Sequence, residues 1–209
     1  MKFILLVEGQ TERNSAAGFL KQWLDARLSQ PVGIQPVSFN GNAELVRKMA
    51  TKAKMYLEGP RKAEVVAVIG LLDLYGPPNF FPANITTAQE QFDWGVEYFQ
   101  KDVGQSKFRM FFAVHEFESW LLSQSSIFPR EVRDHLPKKI ATPEQVNFDE
   151  PPAKLLDRIW KNQIGVGYKK TTYGAQLFNK LDPTVAAEKC PCLKRMLDEM
   201  LKLAKGCGL

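Results

Sequence analysis

The segment from Val65 to Leu72, VVAVIGLL, is β-branched and apolar throughout, and it runs straight into Asp73. Such a run is short for a helix, and its lack of alternation predicts a strand covered on both faces, as in a parallel sheet. Lys2 to Val7, KFILLV, reads the same way. Helical patterns follow these runs. Arg13 to Leu28 carries Ala17, Leu20, Trp23, Leu24 and Leu28 at helical spacing, with Pro31 and Gly33 as stop signals. A second short run, Ile34 to Phe39, leads through Asn-Gly-Asn into a predicted helix from Ala43 to Leu57 that EGPRK terminates. Beyond Asp73 come a Gly-Pro-Pro break, a loop rich in Pro and Asn, and a predicted helix from Thr87 to Val103. KFRMFFAVHEFESWLL then supplies a fourth strand running into a helix. Four βα units predict an α/β fold, a Rossmann-like parallel four-stranded sheet flanked by helices.

The pattern changes after Ser125. Pro129, Pro137, Pro143, Pro151 and Pro152 interrupt the chain, and helical stretches recur near Ala153 to Asn162 and Pro191 to Ala204. Residues 1–125 are thus expected to form the α/β core and 126–209 a helical, loop-rich extension packed on it. In the last stretch Leu193, Met196, Leu197, Met200, Leu201 and Leu203 share an apolar face expected to pack on the body of the protein.

Composition narrows the setting. No apolar run approaches the ~18 residues a membrane span needs, and charge appears by Glu8, so a soluble cytoplasmic protein is expected. Cys190, Cys192 and Cys207 make neither an even disulfide set nor a zinc spacing, and are read as reduced thiols. The net charge of +5 favours an anionic partner, with nucleic acid one candidate.

In a parallel sheet the functional crevice lies beyond the carboxyl ends of the strands, and Glu8, Asp73 and Glu116 fall at or just past three such ends. Glu12 follows Glu8 by one helical turn, and Glu118 follows Glu116 by two residues. Gly9 is expected to give the turn a backbone conformation closed to other residues and to leave room for a ligand. Acids gathered on one edge repel, and a divalent cation compensates. With no cysteine or histidine set beside them, oxygen ligands point to Mg²⁺ or Mn²⁺ and so to phosphate-bearing substrates. Polar residues also end strands for solvation alone, and Glu12 suits a first helical turn in any case. His115, beside Glu116, is read as a capping or packing residue ahead of a general base. GVGYKKTTYG, residues 165–174, is expected to be a loop whose Lys169 and Lys170 suit phosphate contact or a solvated basic turn.

VEGQTE after the first strand, with an acid after the third, resembles the Toprim domain of topoisomerases, primases and overcoming-lysogenization-defect (OLD) nucleases. The ordered set VEGQTE, LLDLYG, HEFESWLL, YKKTTYG and CPCLKRMLDEML is similar to the bacterial domain-of-unknown-function 4276 family, which is Toprim-like and often encoded beside an ATPase gene. The resemblance implies that Glu8 matches the first Toprim glutamate, Glu12 the additional acid of the OLD type, and Asp73 the first acid of Asp-x-Asp. Tyr75 stands where the second aspartate would be. Glu116 or Glu118 is the candidate replacement, with Lys170 placed to neutralise charge on a phosphorane. A Mg²⁺- or Mn²⁺-dependent nuclease is the implied activity, acting on DNA ahead of RNA, as the effector of a defence system with a partner ATPase. The alternatives are a non-catalytic nucleic-acid or partner-binding module and a phosphatase acting on small phosphates.

Overall fold

The computed structural model describes residues 1–75, 80–138, 140–145 and 150–209, and the backbone alone of Gln10 and Thr11. The Gly-Pro-Pro break that starts at position 76 lies outside the described residues.

Strands β1 (Lys2–Val7), β2 (Gly33–Ser38), β3 (Val65–Asp73) and β4 (Phe108–Ala113) form one sheet in the order β2-β1-β3-β4, with every pair parallel. The continuous apolar runs, β1 and β3, occupy the two central positions, where both faces are covered. Alternate residues serve two cores. Phe3, Leu5 and Val7 face α1 (Gln10–Asp25), whereas Ile4 and Leu6 face the side packed by α2 (Asn42–Glu58) and α3 (Ala88–Val103). Gly95 lets α3 lie against β4, since a Cβ there would come within 2.6 Å of the Phe112 ring.

The first helix begins three residues earlier than its apolar spacing predicts, because Glu12 folds back and accepts the Gly9 N–H at 3.1 Å. It also ends earlier. The Arg27 guanidinium takes the Trp23 carbonyl at 3.1 Å and lies over the Trp23 ring, so Leu28 packs on the core from outside the helix. The fourth strand does not run into an α-helix, as expected, but exits through His115 at φ 65° into a 3₁₀ segment, Phe117–Ser123. That segment is clamped by Phe117 stacked on Phe178 at 4.0 Å and set edge-on to Trp120 at 4.7 Å.

Beyond Ser125 the structure has α4 (Arg130–Arg133), α5 (Pro152–Ile164), α6 (Ala175–Phe178), α7 (Pro183–Lys189) and α8 (Pro191–Gly206). Apolar side chains of α5, α6, α7 and α8 join those of α1 in the core on one face of the sheet. In α8, Leu193, Met196, Leu197 and Met200 are buried and Leu201 and Leu203 partly so, as the apolar face predicts. The supposed loop 165–174 is in part helical: Lys170–Gly174 makes a single π turn leading into α6. Among the described residues no helix is long and apolar enough to cross a membrane.

Candidate active site

The strand order places β1 beside β3, so their carboxyl ends open side by side at the point where the chain switches direction across the sheet. Glu8 leaves β1 there, and its Oε1 accepts the Asp73 N–H at 3.0 Å. Asp73, the last residue of β3, accepts the Phe117 N–H on Oδ1 at 2.9 Å, which ties the β3 exit to the segment after β4. Glu116 accepts the Ala153 N–H at 2.8 Å in the first turn of α5. Each of these carboxylates is thus fixed through one oxygen by a backbone amide.

Gly9 does not take the conformation closed to other residues that is expected of it. Its φ of −148° is extended backbone open to any residue. What the absent side chain provides is space: a Cβ would stand 3.2 Å from Glu12 Oε2, on the carboxylate that caps the Gly9 amide.

Glu118 is the most deeply placed acid, 1% exposed. Its Oε2 accepts from Lys170 Nζ at 3.1 Å, and among the described residues its Oε1 has no hydrogen-bond partner. Lys170 Nζ also lies 3.7 Å from Glu116 Oε1. The buried Tyr168 hydroxyl nearby likewise lacks a partner among the described residues. Lys169 is exposed at the start of the same turn, with no ion pair to an acid among the described residues. Tyr75 is 47% exposed, and its ring rests 5.0 Å from that of His115.

Electrostatics follows from this crowding. Burial, with Glu12 and Glu116 adding to it against the Asp73 amide, pushes Glu8 up to about 7. Burial and the Glu8 and Glu118 charges hold Asp73 well above the usual carboxylate range. Glu118 is raised as well, chiefly by burial, against the pull of Lys170. Burial would lower Lys170, but the Glu118, Glu116 and Asp73 carboxylates outweigh it and keep its ammonium charged.

The structure thus gathers Glu8, Asp73, Glu116, Glu118 and Lys170 at one sheet edge, with Glu12 alongside as the cap of α1. Among the described residues no three His, Cys, Asp or Glu side chains make a ready-made metal cage. The donor set is nevertheless all oxygen, one buried carboxylate oxygen has no partner among the described residues, and burial raises the Glu8, Asp73 and Glu118 carboxyls. Those features suit a hard divalent ion that takes one or two carboxylates and completes its shell with water and phosphate oxygens. Two buried polar groups have no legible sequence signal: Tyr168, close enough to feel the Glu118 and Glu116 charges, and Glu144, 5% exposed, which accepts the Cys192 and Leu193 N–H groups at 2.7 and 3.0 Å from a proline-rich stretch without periodicity.

A family model described as "Domain of unknown function (DUF4276)" matches residues 7–201. No curated protein sequence matches the chain. Among solved structures, the C-terminal region of the Burkholderia pseudomallei OLD protein is similar at TM-score 0.50 and 16% identity, with 98% of each chain covered. The C-terminal region of the Xanthomonas campestris pv. campestris OLD protein aligns at TM-score 0.45 and 16% identity, over 98% of this chain and 96% of that one. The fold of the chain is therefore shared with the Burkholderia structure.

Proposed function

The chain belongs to the DUF4276 family, and from that premise we propose that it is a divalent-metal-dependent nuclease of Toprim type. The observation that carries this reading is the meeting of Glu8, Asp73 and Glu118, which follow three parallel strands, close enough at one sheet edge for the Glu8 and Glu118 charges to act on Asp73. Carboxylates gathered at a phosphate site repel the substrate unless a cation intervenes, so the cluster favours metal-assisted chemistry over simple binding.

Glu8, Asp73 and Glu118 would hold Mg²⁺ or Mn²⁺, which when bound supplies water activation and neutralises developing charge on a phosphodiester. Glu118 takes the place of the aspartate that Tyr75 replaces, its unsatisfied Oε1 being the available ligand atom. Glu116 and Glu12 hold the frame through the Ala153 and Gly9 amides. Lys170, 38% exposed, balances the acids at rest and turns to the scissile phosphate when substrate enters. DNA is the expected substrate, and a partner ATPase would couple the cleavage to a defence response; both rest on the family resemblance.

One observation favours a second reading. The Lys170 ammonium already compensates Glu116 and Glu118, so the site is chemically stable as a non-catalytic binding module. Incubating the full chain with Mg²⁺ or Mn²⁺ and plasmid, linear, single-stranded DNA or RNA separates the two. Cleavage is expected, falling by about 100-fold or more in Glu8→Gln and Glu118→Gln, on the scale of several kcal/mol of lost transition-state stabilisation. No cleavage under any condition, with or without an ATPase partner, establishes the binding module. Full activity in both variants removes the proposed site.

A further inference from the structure

Immediately beside the acids, the exit of β4 opens a second space. His115 and Glu116 are consecutive, yet Glu116 reaches Lys170 and α5 while His115 lines a cleft of about 360 Å³ between the start of α3, the Pro143–Gln145 turn and the start of α8. The two side chains part because His115 sits at φ 65°, the single non-glycine residue with positive φ among those described. Such a conformation costs on the order of 1–3 kcal/mol and persists where the surroundings require it. At ~30 Å³ per liquid water molecule the cleft has room for about a dozen, close to the bulk of one nucleoside.

Its chemistry is that of a planar, neutral, hydrogen-bonding ligand. Phe92 supplies an apolar floor, and the Arg195 guanidinium lies over that ring at 5.0 Å without an ion-pair partner among the described residues. Gln145 spends its carbonyl on the Thr142 hydroxyl at 3.0 Å, leaving its amide N–H₂ to donate. Gln89 spends its N–H₂ on Asp93 at 2.8 Å, leaving its carbonyl to accept. Guanidinium and carboxamide groups are the side chains that read base edges. A phosphate is disfavoured here, because Glu144 also lines the cleft. The Tyr75 ring lies 5.0 Å from that of His115 and within the field of Glu116, on the side where the cleft and the acids adjoin.

We infer that this cleft is a nucleobase pocket, which holds the base of a nucleotide whose backbone phosphate lies at the acid cluster. This deepens the nuclease reading and rests on it for the position of the phosphate. In a strand the base would have to leave its stack to enter, which favours single-stranded or locally opened substrate.

Two fluorescent probes test this with the full chain, in EDTA and in Mg²⁺: the neutral nucleoside 2-aminopurine deoxyriboside, and a single-stranded oligonucleotide carrying one 2-aminopurine. The wild type should bind the oligonucleotide with a several-fold rise in 2-aminopurine emission as the base unstacks. The free nucleoside should compete if the pocket accepts the base alone; binding of the nucleoside without the oligonucleotide identifies a free nucleotide as the occupant instead of a strand. Arg195→Leu and Gln145→Leu should each weaken binding by about 5- to 100-fold, and Ala88→Phe, which fills the cleft from another wall, should do the same, with melting temperatures held. Unchanged affinity in all three variants, or oligonucleotide binding without any emission change, overturns the pocket. Pocket-dependent binding without cleavage refutes the nuclease reading alone, whereas Glu8-dependent cleavage indifferent to the pocket variants refutes this inference alone.

Discussion

Glu8→Gln should make the protein more stable while it disables the proposed chemistry, and the gain should depend on pH. In the folded chain the Glu8 carboxyl is moved from 4.5 to about 7, first by burial and then by Glu12 and Glu116. At about 1.36 kcal/mol per pH unit, that displacement is a folding penalty of about 3 kcal/mol once the group is ionised in both states. The sign follows from proton uptake. A carboxyl with a raised folded-state pKa binds more protons when folded, so its penalty is absent below 4.5, grows as pH rises towards 7 and is constant above. Glutamine removes the charge but keeps a carbonyl oxygen able to accept the Asp73 N–H, so the structural bond survives. Thermal unfolding in EDTA should therefore show the variant melting higher at pH 8, by roughly 6–12 °C for a chain of this size. At pH 5 the difference should shrink to less than about 1 kcal/mol. Saturating Mn²⁺ should raise the wild type more than the variant. A loss of stability at both pH values, or an equal gain at both, would refute the claim that crowded charge is what strains this site.

Lys170→Met leaves Glu118 buried without its cation, and urea unfolding at pH 8 should show a loss of about 3–5 kcal/mol, with Lys170→Arg recovering part of it; a neutral outcome would mean that Glu118 is protonated in the folded state. Glu144→Ala strips the hydrogen bonds that Glu144 makes to the first turn of α8 and should cost about 1–3 kcal/mol in the same assay, with Glu144→Gln intermediate. Gly9→Ala should change stability by less than about 1 kcal/mol, since its backbone angles are ordinary and the Glu12 carboxylate needs to move only slightly. A cost above about 2 kcal/mol there would show that the glycine is needed for its backbone after all.

Much of the frame was legible in the sequence because its signals are local. Unbroken apolar runs mark strands that must be covered on both faces, and β1 and β3 are the central pair. Parallel strands put their carboxyl ends on a common edge, so an acid after each of three strands already implied a cluster. The family motifs pointed to the same residues. What the chain could not disclose locally was settled by packing. The order β2-β1-β3-β4 lets Glu8 reach the Asp73 amide 65 positions away, and Lys170 meets Glu118 across 52. HEFE gives no hint that one glutamate is 1% exposed and the other 17%, or that the histidine between strand and acids takes a positive φ. Gly9 suggests a special backbone in the sequence, whereas in the fold its angles are ordinary and its missing Cβ only eases the approach of the Glu12 carboxylate. Strand and helix formation depend on neighbours within a turn or two, whereas burial, charge pairing and the space left around a glycine depend on side chains that arrive from distant parts of the chain.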